Sequence, residues 1–285
     1  MAGTARWWLV GVSSTALLGL AACGGGSSSA PGKGGHAELA HIHGLGINPA
    51  NGELYAGTHH GVFRIPEKGE PEQVAGRTQD FMGFTILGPD HFLASGHPGP
   101  DDADSPPNLG LLKSTDGAKT WRTRSLSGEV DFHGLEAKHG QVYGYDSQTG
   151  RLMVSKDETR WDRRAQVPLD DIAVSPDDSD VVLATMQQGP ARSTDGGRTF
   201  AAIDGAPLLV LLDWPSEKRL VGVAPDGAVH TSADGGKNWT KGGSVPGQPA
   251  ALTTHGKAEV YVATESGIHH STDGGKTFTL FQALE

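Results

Sequence analysis

Imidazole and thioether side chains recur at related places along this chain, and metal coordination is the chemistry they suggest. His43-Gly44-Leu45, Met82-Gly83-Phe84 and His133-Gly134-Leu135 share one pattern, with His41 two residues ahead of His43. Tyr55–His59 (YAGTH) and Leu93–His97 (LASGH) share a second, in which Tyr261–Glu265 (YVATE) ends on a carboxylate instead. Neutral imidazole is the commonest protein ligand for metals, and a thioether adds softness suited to copper. Three imidazoles with a carboxylate or water suit zinc. His43, His133, His59 and His97 are therefore the leading ligands for copper or zinc, with His41 and Met82 secondary. Glu265 is the one weak catalytic candidate. Cys23 is the only cysteine, so a thiolate cluster is excluded.

Segments so far apart come together only if the chain repeats, and it does. Ser114–Trp121 (STDGAKTW), Ser193–Phe200 (STDGGRTF), Ser232–Trp239 (SADGGKNW) and Ser271–Phe278 (STDGGKTF) are copies of one phrase, and Ser155–Trp161 (SKDETRW) is a worn fifth. The copies start 38 to 41 residues apart, a period that belongs to stacked or radial repeats. In each full copy Asp116, Asp195, Asp234 or Asp273 can accept backbone N–H bonds and close a turn. The following glycine supplies a positive φ, and the closing Trp or Phe can pack between sheets.

No 3.6-residue period persists, and short runs rich in Val, Leu, Tyr and Thr alternate with Gly, Pro and Asp turns. Cutting by the repeat gives six units, about 40–80, 81–129, 130–168, 169–207, 208–247 and 248–285. Each accommodates four strands. The expected fold is all-β, a propeller of six four-stranded blades with the repeated turns between third and fourth strands. A seventh blade would require Ala37–Ala40 or a merged strand to count separately. In this register His43, Met82 and His133 open first strands at the central channel. His59, His97 and Glu265 end second strands on the same rim, opposite the repeated turns. His230, His255, His269 and His270 fall elsewhere. The longest insertion, Pro98–Asn108, carries Asp101, Asp102 and Asp104 over that rim.

The phrase S-x-D-x-G-x-T-[WF] resembles the Asp-box (BNR) repeat of sialidases and of many non-enzymatic propellers. That resemblance implies a structural role for the box residues, on the side away from the functional face. Val62–Pro66 contains FRIP, which is similar to the sialidase motif bearing the first arginine of a carboxylate clamp. Here it falls on a third strand, and no arginine follows Arg219 to complete the clamp. The chain also looks like a group of bacterial envelope Asp-box proteins often labelled glycosyl hydrolases, through its His-x-His-Gly, Met-Gly-Phe, Gly-His-Pro and Asp-Phe-His motifs. Two alternatives to metal binding follow: a sialidase-like glycoside hydrolase acting on an envelope or extracellular glycan, and a protein-interaction scaffold.

Residues 1–22 read as a lipoprotein signal peptide, with Arg6 before an apolar run that ends in Leu20-Ala21-Ala22-Cys23. Cleavage there would leave Cys23 to carry lipid, placing the protein outside the cytoplasm on a membrane anchor. Residues 23–36 form a Gly/Ser linker, and 37–285 the propeller. A formal net charge of −10 disfavours nucleic acid. The expected partners are the membrane through its anchor and a metal ion, glycan or envelope protein.

Overall fold

Each short apolar run bounded by Gly, Asp or Pro forms a strand, and sequential strands pair as antiparallel neighbours. The computed structural model describes residues 39, 41–102 and 104–284. The expected signal peptide, Cys23 and the expected linker lie outside the described residues. Six four-stranded sheets result, each with its strands in sequence order. Blade 1 is β1 (Ile42–Ile47), β2 (Leu54–Thr58), β3 (Gly61–Ile65) and β4 (Glu72–Gln73). Blade 2 is β5 (Asp80–Gly88), β6 (His91–His97), β7 (Leu111–Ser114) and β8 (Arg122–Ser125). Blade 3 is β9 (Phe132–Lys138), β10 (Gln141–Asp146), β11 (Arg151–Ser155) and β12 (Trp161–Gln166). Blade 4 is β13 (Ile172–Val174), β14 (Val182–Ala184), β15 (Ala191–Ser193) and β16 (Ala201–Ala202). Blade 5 is β17 (Leu211–Ser216), β18 (Arg219–Val223), β19 (Ala228–Ser232) and β20 (Thr240–Ser244). Blade 6 is β21 (Pro249–His255), β22 (Glu259–Thr264), β23 (Gly267–Ser271) and β24 (Thr279–Ala283). No α-helix occurs among the described residues.

The repeated phrase forms the turn between third and fourth strands, and its hydrogen bonds explain its composition. In blade 4, Ser193 Oγ donates to Asp195 Oδ1 at 2.7 Å and accepts from Gly197 N at 2.7 Å. Asp195 also accepts from Arg198 N and Thr199 N, both at 2.9 Å, and from Thr199 Oγ1 at 2.6 Å. Blades 2, 5 and 6 repeat this network around Asp116, Asp234 and Asp273. The donors hold these carboxyls below the usual range, that of Asp234 at about 2, with its Asn238 side chain the largest cause. These aspartates are spent on holding turns.

The hydrophobic core is six clusters, one at each blade interface. The aromatic that closes each repeat packs against the preceding blade. Trp121 joins Tyr55 and Val62 of blade 1 to Phe81 and Phe92 of blade 2. Trp161 lies between Leu93 and Leu111 of blade 2 and Phe132 and Met153 of blade 3. Phe200, Trp239 and Phe278 serve the next three interfaces in the same way. Blade 6 meets blade 1 through Ala251, Tyr261, Ala263 and Ile268 against Ile42, Leu45, Phe63 and Ile65, with Leu39 and Leu284 beside them. Among the described residues no strand crosses from one end of the chain into the other's sheet. The ring is closed by side-chain packing.

Candidate metal centre

The first strands of blades 1, 2 and 3 each carry a β-bulge at one position. Ile42 pairs with Thr58 and Gly44 with Gly57, leaving His43 unmatched. Phe81 pairs with Gly96 and Gly83 with Ser95, leaving Met82 unmatched. Phe132 pairs with Asp146 and Gly134 with Tyr145, leaving His133 unmatched. A bulge adds one residue to its strand and re-aims that side chain. The glycines that follow His43 and Met82 let the next blade come close: a Cβ on Gly44 would meet Phe84 Cβ at 2.9 Å, and one on Gly83 would meet Phe132 O at 2.3 Å. In blades 1 and 3 the bulge re-aims an imidazole, and in blades 1 and 2 the glycine after it seats the neighbouring blade.

The side chains gather into two groups, each bridging blades. His43 from β1, His59 after β2 and Asp80 at the start of β5 form one. His97 at the end of β6, Asp131 just before β9 and His133 form the other. Within each group one donor atom per residue lies within 4.8 Å of the rest. His59 and His97 occupy equivalent positions at second-strand ends. Asp80 and Asp131 are equivalent too, two residues ahead of the bulge in the following blade.

In the first group His43 Nε2 is 3.3 Å from His59 Nε2, and the rings meet edge to face. Tetrahedral ligand atoms at metal–nitrogen bonds of about 2.0–2.1 Å stand roughly 3.3–3.4 Å apart. His59 Nδ1 lies 2.8 Å from Asp80 Oδ1, yet that buried oxygen receives no directed hydrogen bond. Burial first, then the neighbouring His59, pushes the His43 imidazole down to about 4, so it is neutral and a free base at neutral pH.

In the second group His133 Nε2 lies 2.8 Å from Asp131 Oδ2, and His97 Nε2 lies 3.6 Å from the same oxygen. Ser147 Oγ also donates to Oδ2 at 3.1 Å. Asp131 is only 4 % exposed, and its other oxygen, Oδ1, has no partner among the described residues. Burial pushes this carboxyl up, but bonding and charge from His133, charge from His97 and the Ser147 bond outweigh it, and it stays below its ordinary value. The inserted loop contributes here. His97 Nδ1 donates to Pro107 O at 2.8 Å, which leaves Nε2 as the lone-pair nitrogen facing Asp131. Asp102 of that loop accepts from Gln79 Nε2 and joins neither group.

Of the sequence-derived ligands, His43, His59, His97 and His133 all enter these groups, as two pairs rather than one ring. His41 is exposed at the channel mouth, its ring 5.0 Å from that of His59. Met82 is part-buried and belongs to neither group. Glu265 is exposed and likewise apart. Asp80 and Asp131 were not among the sequence-derived ligand candidates, yet each completes one of the groups. The signal was available: Asp80 precedes Met82 by two, as Asp131 precedes His133.

Below the rim the channel holds a cavity of about 170 Å³ lined by first strands, with Glu136, Asp171 and Asp213 facing it. Each of these carboxylates accepts from the next blade: Glu136 from Val174 N at 2.7 Å, Asp171 from Leu212 N at 2.8 Å and Asp213 from Thr254 N at 2.6 Å. Lys138 Nζ adds bonds to Val174 O at 3.0 Å and Trp214 O at 2.7 Å. Protein surrounds these carboxyls, and that burial pushes Asp171 up to about 7. They staple inner strands together.

No family model matches the sequence, and no curated protein matches it. Solved structures do. "YCF48 from Cyanidioschyzon merolae" is 11 % identical with a TM-score of 0.57, over 85 % of this chain and 98 % of that one. A nidogen/laminin complex is 15 % identical with a TM-score of 0.61, over 80 % of this chain and 91 % of that one. An ancestral GH74 enzyme, AFV00434, is 12 % identical with a TM-score of 0.53, and 86 % of this chain matches 38 % of that one. At these identities the likeness is one of fold. The chain is a six-bladed β-propeller.

Proposed function

We propose that this is a lipid-anchored, extracytoplasmic Asp-box propeller that binds a divalent transition metal, zinc or copper, at the paired His/Asp sets on its channel rim. The supporting observation is the repetition of one donor set, two imidazoles and a carboxylate, at two equivalent blade junctions. With nitrogen and oxygen donors and no thioether in either set, zinc or Cu(II) fits better than Cu(I). A metal at His133 Nε2 would displace the hydrogen bond to Asp131 and shift the imidazole proton to Nδ1. Imidazoles bind metal only as free bases, so binding weakens in acid. Metal analysis of the purified protein should find bound metal that falls by about half in His43→Ala and again in the His43→Ala/His133→Ala double variant. Equal, substoichiometric metal in all three proteins would end this reading. Cys23→Ala should release the protein from membranes, and continued membrane partition would remove the anchor.

A hydrolytic role at the same rim is the second reading. Three protein donors leave a coordination position for water or substrate, the arrangement in which a metal acts as a Lewis acid. Turnover of aryl glycosides that survives chelation and is lost in Glu265→Gln would instead support a metal-independent glycosidase.

A further inference from the structure

Five of the six blade interfaces receive the closing aromatic of a repeated turn, Trp121, Trp161, Phe200, Trp239 or Phe278, from the blade that follows. The sixth, between blades 6 and 1, does not. The β3–β4 connection of blade 1 reads Pro66-Glu67-Lys68-Gly69-Glu70-Pro71. Arg64 pairs with Glu72 there as Val154 pairs with Asp162 in blade 3, so Pro71 stands where Trp161 stands. A groove of about 850 Å³ lies at this interface, on the side of the repeated turns. Its apolar wall includes Ile47, Leu54 and Ile65, and opposite them Tyr261 and His270 stack at 4.1 Å with 7° between their planes. Phe281 meets both rings edge-on. Leu280, also in the groove, is 58 % exposed, the most exposed large apolar side chain among the described residues. His270 Nε2 is buried with no partner among the described residues. Glu53, Glu67 and Glu259 line the same groove.

We infer that this groove takes an aromatic side chain from a separate protein, carried on a basic segment. The slot lies where the fold places Trp or Phe at its five other junctions, and its lining carries three carboxylates, of which Glu53 is paired with Arg64, and no lysine or arginine. An indole or phenyl ring would cover Leu280 and lie against the Tyr261–His270 pair, burying apolar area on both sides. Flanking Lys or Arg would meet Glu67 and Glu259 and favour approach of this partner over an acidic one. The face is opposite the histidine rim, so the inference stands independently of the metal reading.

The test uses a fluorescently labelled peptide of the chain's own repeat, GGKNWTK (Gly235–Lys241), with purified protein and anisotropy as readout. The tryptophan peptide should bind at least about tenfold more tightly than its alanine counterpart, the discrimination expected of one buried aromatic anchor. Pro71→Trp supplies the missing ring internally, and should raise Tm while abolishing peptide binding. Glu67→Lys/Glu259→Lys should weaken binding and remove its salt dependence, with Tm as the check on folding. Equal affinity for the tryptophan and alanine peptides, or undiminished binding in both variants, overturns the inference. Self-association at micromolar concentration that Pro71→Trp abolishes would also overturn it, by making a second copy of the chain the occupant.

Discussion

His43 is the residue whose chemistry depends most on its surroundings. Burial and the nearby His59 keep it neutral to about pH 4, whereas in an unfolded chain it protonates near 6.5. Below about pH 6.5 the unfolded state therefore takes up a proton that the folded state refuses, and folded stability falls between about 6.5 and 4. In metal-free protein, His43→Gln should flatten that part of the curve of Tm against pH. Parallel curves for the two proteins would show that the imidazole carries no such penalty. Asp171 works in the opposite direction. Its carboxyl is pushed up to about 7, so its contribution is full in acid and is lost as pH rises from about 4 to 7. The rim and the channel below it thus place opposing pH slopes on one fold. At this scale the sequence was legible for the imidazoles, which share a motif, and less so for the carboxylates. Asp80 lies in Gln79-Asp80-Phe81 with nothing unusual about it until His59 of the neighbouring blade is seen beside it.

At the scale of strands, the bulge and the glycine after it form one device, and the two can be separated experimentally. A Cβ on Gly83 would meet a carbonyl oxygen at 2.3 Å, whereas one on Gly134 would find only Tyr145 Cβ at 3.5 Å, an ordinary contact. Gly83→Ala should cost about 1–3 kcal/mol in denaturant unfolding, as overpacked sites do, and Gly134→Ala should stay within about 0.5 kcal/mol of wild type. Similar losses in both would mean that the close approach does not set the requirement for glycine. The repeated turn fixes one end of each blade that carries it, which is why cutting the chain by the repeat finds six blades. Bulges were not legible, since a one-residue slip leaves no trace in composition. That is why a single ring of His43, Met82 and His133 was expected where two inter-blade groups occur. Pairing runs between the end of one blade's second strand and the start of the next blade's first, and a blade-by-blade alignment separates those two positions.

Across the whole molecule, the rim, the channel and the turn face divide the work. Imidazoles occupy the junctions of blades 1–2 and 2–3, while Glu136, Asp171 and Asp213 bind the junctions that follow. The repeated aspartates, exposed or half-buried and hydrogen-bonded by their own turns, belong to the far side. Sequence resemblance to sialidases drew attention to that side, and the register it supplied led to the other. Among the described residues, the seam between blades 6 and 1 has neither a shared strand nor a closing aromatic. Leu39 and Leu284 nevertheless pack into the same cluster there, so the two ends of the propeller are neighbours in space. Joining them with a short Gly/Ser link and opening the chain in the inserted loop near residue 104 gives a circular permutant. It should fold with unchanged spectra and lose less than about 2 kcal/mol, since no strand is cut and β6 and β7 can still pair across the new termini. A permutant that fails to fold would show that synthesis must begin at blade 1. Success would mean that this ring has an order of blades but no obligatory first one.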